Sequence, residues 1–158
     1  SMEKVAVVLL NYNGAEILPD FLPSVVQWSA PYNIYLADNG SDDASLEYVE
    51  KHFPQISIIA LTENFGFCGG YNRALQSINS QYYILINTDV EVGKGWIEPL
   101  LDVLENNPGT ASVQPKILSW KSRNQFEYAG AAGGCLDLLA YPFCRGRIFD
   151  TLETKTAE

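Results

Sequence analysis

Val5 to Leu10 is a continuous apolar run of Val, Ala and Leu near the start of the chain. Continuous rather than alternating apolarity fits a strand covered on both faces. Ile34 to Ala37, Ile56 to Leu61, Tyr82 to Ile86 and Ala111 to Val113 are shorter runs of the same kind. Between them the period changes to that of a helix. Glu16 to Trp28 carries Ile17, Phe21, Val25 and Trp28 at helical spacing, and Pro19 and Pro23 are expected to confine the regular helix to its later part. Asp43 to His52 follows a cap at Ser41 or Asp42. Gly69 to Ile78 sets Leu75 and Ile78 on one side. Gly95 to Asn106 repeats Trp96, Leu100 and Leu104 at helical intervals, with Trp28 and Trp96 expected in the core, and stops at Asn107-Pro108-Gly109.

Strands alternating with helices predict right-handed βαβ units. The expected fold class is α/β, a mostly parallel Rossmann-like sheet flanked by helices. Beyond about Pro115 the periodicity fades into the small residues of Gly130 to Gly134 and a polar tail over about 151–158. A single domain over 1–158 is expected, incomplete at its C-terminal end, with Ser1-Met2 read as the scar of a cleaved tag.

Composition narrows the partners. The net charge of -9 and the absence of a basic stripe argue against a general nucleic-acid binder. They also argue against an electrostatic membrane anchor. No apolar stretch is long enough to cross a membrane, and no signal peptide is expected. With 3 cysteines, Cys68, Cys135 and Cys144, no Cys-x-x-Cys pair and 1 histidine, His52, the composition argues against a structural zinc site, and reduced thiols in a cytoplasmic protein are expected. His52 reads as a solvated residue at a helix C-terminus, and Cys68 lacks a neighbouring base that would make it a nucleophile.

The polar residues sit where the strands end: Asn11-Tyr12-Asn13-Gly14, Asp38-Asn39-Gly40-Ser41-Asp42-Asp43, Thr62-Glu63-Asn64-Phe65-Gly66 and Asn87-Thr88-Asp89. In parallel sheets, ligands bind at the carboxyl ends of strands near a topological switch point. Each cluster by itself is also good turn chemistry. Asp38 and Asp89 stand out because a carboxylate directly after a buried strand is desolvated unless something pairs with it. A divalent cation is one such partner. Gly66, Gly69 and Gly70 form neither a G-x-G-x-x-G fingerprint nor a P-loop.

Val7 to Asn13, Asp38 to Ser41, Asn64 to Phe67 with Gly69, Gly70 and Asn72, and Leu85 to Val90 occur in that order. Together they resemble the inverting family-2 glycosyltransferases of GT-A fold, especially the rhamnosyltransferase-like branch, over roughly residues 4 to 118. The resemblance implies transfer of a sugar, with inversion, from a UDP-, dTDP- or GDP-sugar to a glycan or lipid-linked acceptor. It implies Mg²⁺ or Mn²⁺ as cofactor. Asn11, Tyr12 and Asn13 would lie against the nucleotide, Asp38 would bond the base, and Asn39 and Ser41 would shape that loop. Asn64, Gly66 and Asn72 would line the donor site. Asn87-Thr88-Asp89 stands at the family's acidic motif, with Asp89 as the metal-side carboxylate. Asn87 departs from the acidic residue usual there, so a single carboxylate is available. The family's base lies further downstream; Glu153 in its polar tail is a poor counterpart, so the base is expected outside this chain. Localisation is expected to be cytoplasmic, with peripheral association of the full-length protein at the inner face of the membrane. Two other readings use the same residues: a non-catalytic nucleotide-binding module, and an interaction domain with a degenerate pocket.

Overall fold

The computed structural model describes residues 1–107 and the backbone of short strands at 112–113, 115–117 and 126–128. The elements run β1 (Glu3–Asn11), α1 (Leu18–Trp28), β2 (Asn33–Asp38), α2 (Ser45–His52), β3 (Ser57–Ala60), α3 (Gly66–Gln76), β4 (Ser80–Asn87), α4 (Ile97–Glu105), β5 (Ser112–Val113), β6 (Pro115–Ile117) and β7 (Phe126–Tyr128). The first five strands form one parallel sheet in the order β3-β2-β1-β4-β5. Strands β6 and β7 pair antiparallel as a separate ribbon. Gly130 to Gly134, Cys135, Cys144, Glu153 and the 151–158 tail lie outside the described residues.

The sheet explains the unbroken apolar runs. Val5, Val7 and Leu9 face one side with Leu36, Ile84 and Ile86, under Leu18, Leu22 and Val25 of α1, Val49 of α2 and Ile97, Leu100 and Leu104 of α4. Ala6, Val8, Tyr83 and Leu85 face the other side, under Tyr71 and Leu75 of α3. Both faces are buried, so neither can carry polar residues. Each fully buried Leu or Ile contributes about 1.5–3 kcal/mol of hydrophobic stabilisation.

Helix α1 differs from the expectation. It runs from Leu18 through both prolines, with Pro19 in its first turn and Pro23 inside. Pro19 falls where the amide has no intrahelical partner. Pro23 removes one bond close to the start, which burial of Leu22 and Val25 offsets. The core stripe is accordingly Leu18, Leu22 and Val25, and Trp28 is exposed at 37%. Trp96 is buried at 2%, as expected. Helix α2 begins later than expected. Ser41 and Asp42 do not cap it; the carboxylate of Asp43 accepts from the Ser45 amide instead, because Ser41 is already engaged by Asp38.

Strand order reverses at β1, which leaves β2 on one side and β4 on the other. This is the switch point at which parallel sheets open a crevice. Register aligns Asn11 with Asp38 and Leu10 with Asn87, so the polar ends of β1, β2 and β4 lie side by side.

Candidate functional site

Asn11 is fully buried at the last position of β1. Its Nδ2 donates to Asp38 Oδ1 at 2.9 Å and Ser45 Oγ at 2.9 Å, and lies 3.3 Å from Ser41 Oγ. Its Oδ1 has no partner. Asp38 is 2% exposed at the end of β2. It also accepts from the Ser41 amide at 2.9 Å and Ser41 Oγ at 2.7 Å. These bonds replace the water that burial removes.

Asn13 locks the first loop onto the second. Its φ is 51°, in the left-handed region that Asn tolerates. Its amide donates to Ser41 Oγ at 2.8 Å, and its Oδ1 accepts from the amides of Asp42 at 2.9 Å and Asp43 at 3.3 Å. Between buried Asn11 and clamped Asn13, Tyr12 stands 50% exposed. Asp43 closes the same clamp, accepting from the Ala15 amide at 3.0 Å and from the Ser45 amide at 3.0 Å and hydroxyl. Desolvation raises its pKa, but bonds from Ser45 and Ala15 outweigh that and hold it below the ordinary 3.8.

On the other flank, Asn64 and Gly66 are exposed, and Asn64 Oδ1 accepts from the Gly66 amide at 2.8 Å. Asn39 is only 3% exposed; its Oδ1 accepts from the Phe65 amide at 3.0 Å and its Nδ2 donates to the Gly66 carbonyl at 2.9 Å. Asn72 on α3 is half-buried, with its Oδ1 buried and unpartnered. Tyr71 is fully buried, and its hydroxyl donates to the Ile86 carbonyl at 3.3 Å, tying α3 to the end of β4. Burial pushes its phenol well above the ordinary value.

Asn87 and Asp89 are exposed and Thr88 is half-buried. Among the described residues no group of three or more His, Cys, Asp and Glu is arranged to hold a metal. A cation at Asp89 would therefore take most of its ligands from elsewhere. That fits Mg²⁺ or Mn²⁺, which bind through one or two carboxylates plus phosphate oxygens and water. Cys68, expected as a reduced thiol, is disulfide-bonded.

The structure thus brings Asn11, Asn13, Asp38 and Ser41 into one network, joins Asn39 to Phe65 and Gly66 across the next loop, where Gly66 in turn bonds Asn64, and sets Asn87 at the neighbouring strand end. Sequence reading overlooked Asp43 and Ser45 as parts of this network. The Asp-x-Ser spacing is a local turn signal, but the Asn11–Ser45 bond spans the fold and leaves no trace in the sequence.

Residues 6–137 match the family model described as Glycosyl transferase family 2. Among curated proteins, an N-acetylglucosaminyl-diphospho-decaprenol L-rhamnosyltransferase of Mycobacterium tuberculosis is 27% identical over 123 residues, covering 70% of this chain and 40% of that protein. The chain thus spans well under half the length of this relative. Among solved structures, S. aureus TarS 1-349 in complex with UDP-GlcNAc superposes with a TM-score of 0.57 at 20% identity, over 66% of this chain and 32% of the other. The mannosyltransferase PcManGT from Pyrobaculum calidifontis, in complex with GDP-Man and Mn²⁺, superposes with a TM-score of 0.56 at 18% identity, over 70% and 34%. At such identities these two likenesses show the fold alone.

Proposed function

Since this chain belongs to glycosyl transferase family 2, we propose that it is the nucleotide-sugar-binding part of an inverting, metal-assisted glycosyltransferase that acts on a glycan or lipid-linked acceptor. The carrying observation is the alignment of three polar strand ends across the switch point, Asn11 beside Asp38 and Leu10 beside Asn87. In this reading Asp38 presents an acceptor to an N–H on the edge of the base. Asn11, Ser41 and Asn13 hold it there, and Tyr12 supplies an exposed ring for the flat base to lie against. In this reading Asn64, Gly66 and Asn72 line the sugar-diphosphate flank. Thr88 and Asp89 face the diphosphate from the end of β4.

Mg²⁺ or Mn²⁺ held by Asp89 would supply charge neutralisation for the departing nucleoside diphosphate. The rim itself orients the donor, leaving the opposite face of the sugar open to an acceptor hydroxyl. A carboxylate base for that hydroxyl belongs in this reading to the acceptor half of the longer parent. The lipid-linked name of the mycobacterial relative supports a lipid-linked acceptor, and a parent working in the cytoplasm at the inner face of a membrane is part of the same proposal. Among the described residues no helix is long and apolar enough to cross one.

Calorimetric titration with UDP-, dTDP- and GDP-sugars, with and without Mn²⁺, tests the reading. Binding selective for one base, strengthened by Mn²⁺ and losing that dependence in Asp89→Ala, is the expected result. No binding by either this chain or its full-length parent would overturn it.

A further inference from the structure

Main-chain pairing of β2 with β3 ends at Asp38 and Ala60, with the Leu61 amide donating to the Asp38 carbonyl at 2.8 Å. The Asn39 amide then turns the other way, to the Asn11 carbonyl at 2.8 Å. From there no backbone bond joins the two loops among those the structure shows. The Asn39 side chain takes over. Its carboxamide accepts from the Phe65 amide and donates to the Gly66 carbonyl, at 3.0 and 2.9 Å. A carboxamide offers the same donor and acceptor as a peptide group, so the pair imitates one more rung of the sheet.

The surroundings are shaped to this rung. A Cβ at Gly70 would lie 2.9 Å from Asn39 Nδ2, and one at Gly40 would lie 2.7 Å from the Glu63 carbonyl carbon. Both approaches require glycine, and Gly40 also has a φ of +78°. With only 3% exposure, Asn39 has no room for water to replace either bond. Only Asn fits the chemistry. Asp lacks the donor for Gly66, Leu lacks both groups, and Gln carries its amide one carbon too far.

We infer that Asn39 is a positioning residue, acting not on the donor but through the 64–66 loop, which it fastens to the end of β2 so that both flanks of the rim form one rigid surface. This deepens the proposed donor site and rests on that reading. The base-side network of Asn11, Asp38 and Ser41 and the sugar-side residues Asn64 and Gly66 share no direct bond in the structure. Asn39 spans the gap, with its backbone in the first group and its side chain in the second. Preorganisation of this kind lowers the ordering cost of binding.

The test combines amide hydrogen exchange of the ligand-free chain with calorimetry on the UDP-, dTDP- or GDP-sugar that the unaltered chain binds. In Asn39→Ala the Phe65 amide should exchange at least about tenfold faster while β1 amides keep their protection, and donor Kd should rise about tenfold, the equivalent of about 1.4 kcal/mol. Asn39→Asp retains the acceptor for Phe65 but turns an oxygen towards the Gly66 carbonyl. It should keep Phe65 protected and raise Kd to a value between the other two, and it carries the test if Asn39→Ala does not fold. Weaker donor binding with unchanged Phe65 exchange in Asn39→Ala would make Asn39 a direct contact and overturn the inference. An equal loss of protection in β1 would reduce it to a general stability role and also overturn it. If the unaltered chain and its parent bind no donor, the donor reading fails, while the exchange result still decides whether Asn39 fastens the loop.

Discussion

Asp38 and Asp89 both follow buried strands, yet their surroundings make them different kinds of residue. Asp38 is 2% exposed and saturated by Asn11 and Ser41, whereas Asp89 is exposed. Asp38→Ala should therefore cost about 1–3 kcal/mol in urea unfolding, because it strips partners from buried donors, and should abolish donor binding as well. Asp89→Ala should leave stability within about 0.5 kcal/mol and remove only the response to Mn²⁺. Asp43 predicts a pH effect. Its folded pKa lies below the ordinary 3.8, so its stabilisation is complete above that value and is lost as pH falls through the lower one. In urea melts the advantage of the native chain over Asp43→Asn should shrink as pH drops below about 3.8.

At the scale of elements, close approach decides the geometry. Helix α3 reaches the sheet where a Cβ on Gly70 would stand 2.8 Å from Leu10 Cδ1. Gly70→Ala should destabilise by about 1–3 kcal/mol through overpacking, and donor affinity should fall as α3 moves away from the rim. At the opposite end of the sheet, the Tyr35 hydroxyl donates to Glu3 and links the starts of β1 and β2. Burial and then the Glu3 carboxylate raise its pKa from 10.0 to about 12. Since the folded pKa is the higher one, this contribution is intact below pH 10.0 and is lost as pH rises towards about 12. Tyr35→Phe should flatten that part of the stability profile in alkaline denaturation.

Across the whole molecule, a net charge of -9 repels a nucleoside diphosphate. Without metal, raising the salt towards 0.15 M shortens the Debye length to about 8 Å and should tighten donor binding; calorimetry at two ionic strengths reads this directly. With Mn²⁺ neutralising the diphosphate, the salt effect should diminish.

The hydrophobic pattern by itself determined the alternating strands and helices, because a strand covered on both faces must be apolar at nearly every position. It also located the polar clusters, since only at a strand end does the chain leave the core. Helix starts were less legible. Pro19 and Pro23 read as a barrier to α1, but Leu22 and Val25 on the sheet outweigh one missing bond. What only the tertiary structure decided is the division of labour within the clusters. Asn11, Asp38 and Asn39 are buried and bonded to the fold, while Tyr12, Asn64 and Asp89 stand open to solvent. Those roles depend on strand register and on the distance between loops far apart in the chain, and an amino-acid sequence does not carry such distances.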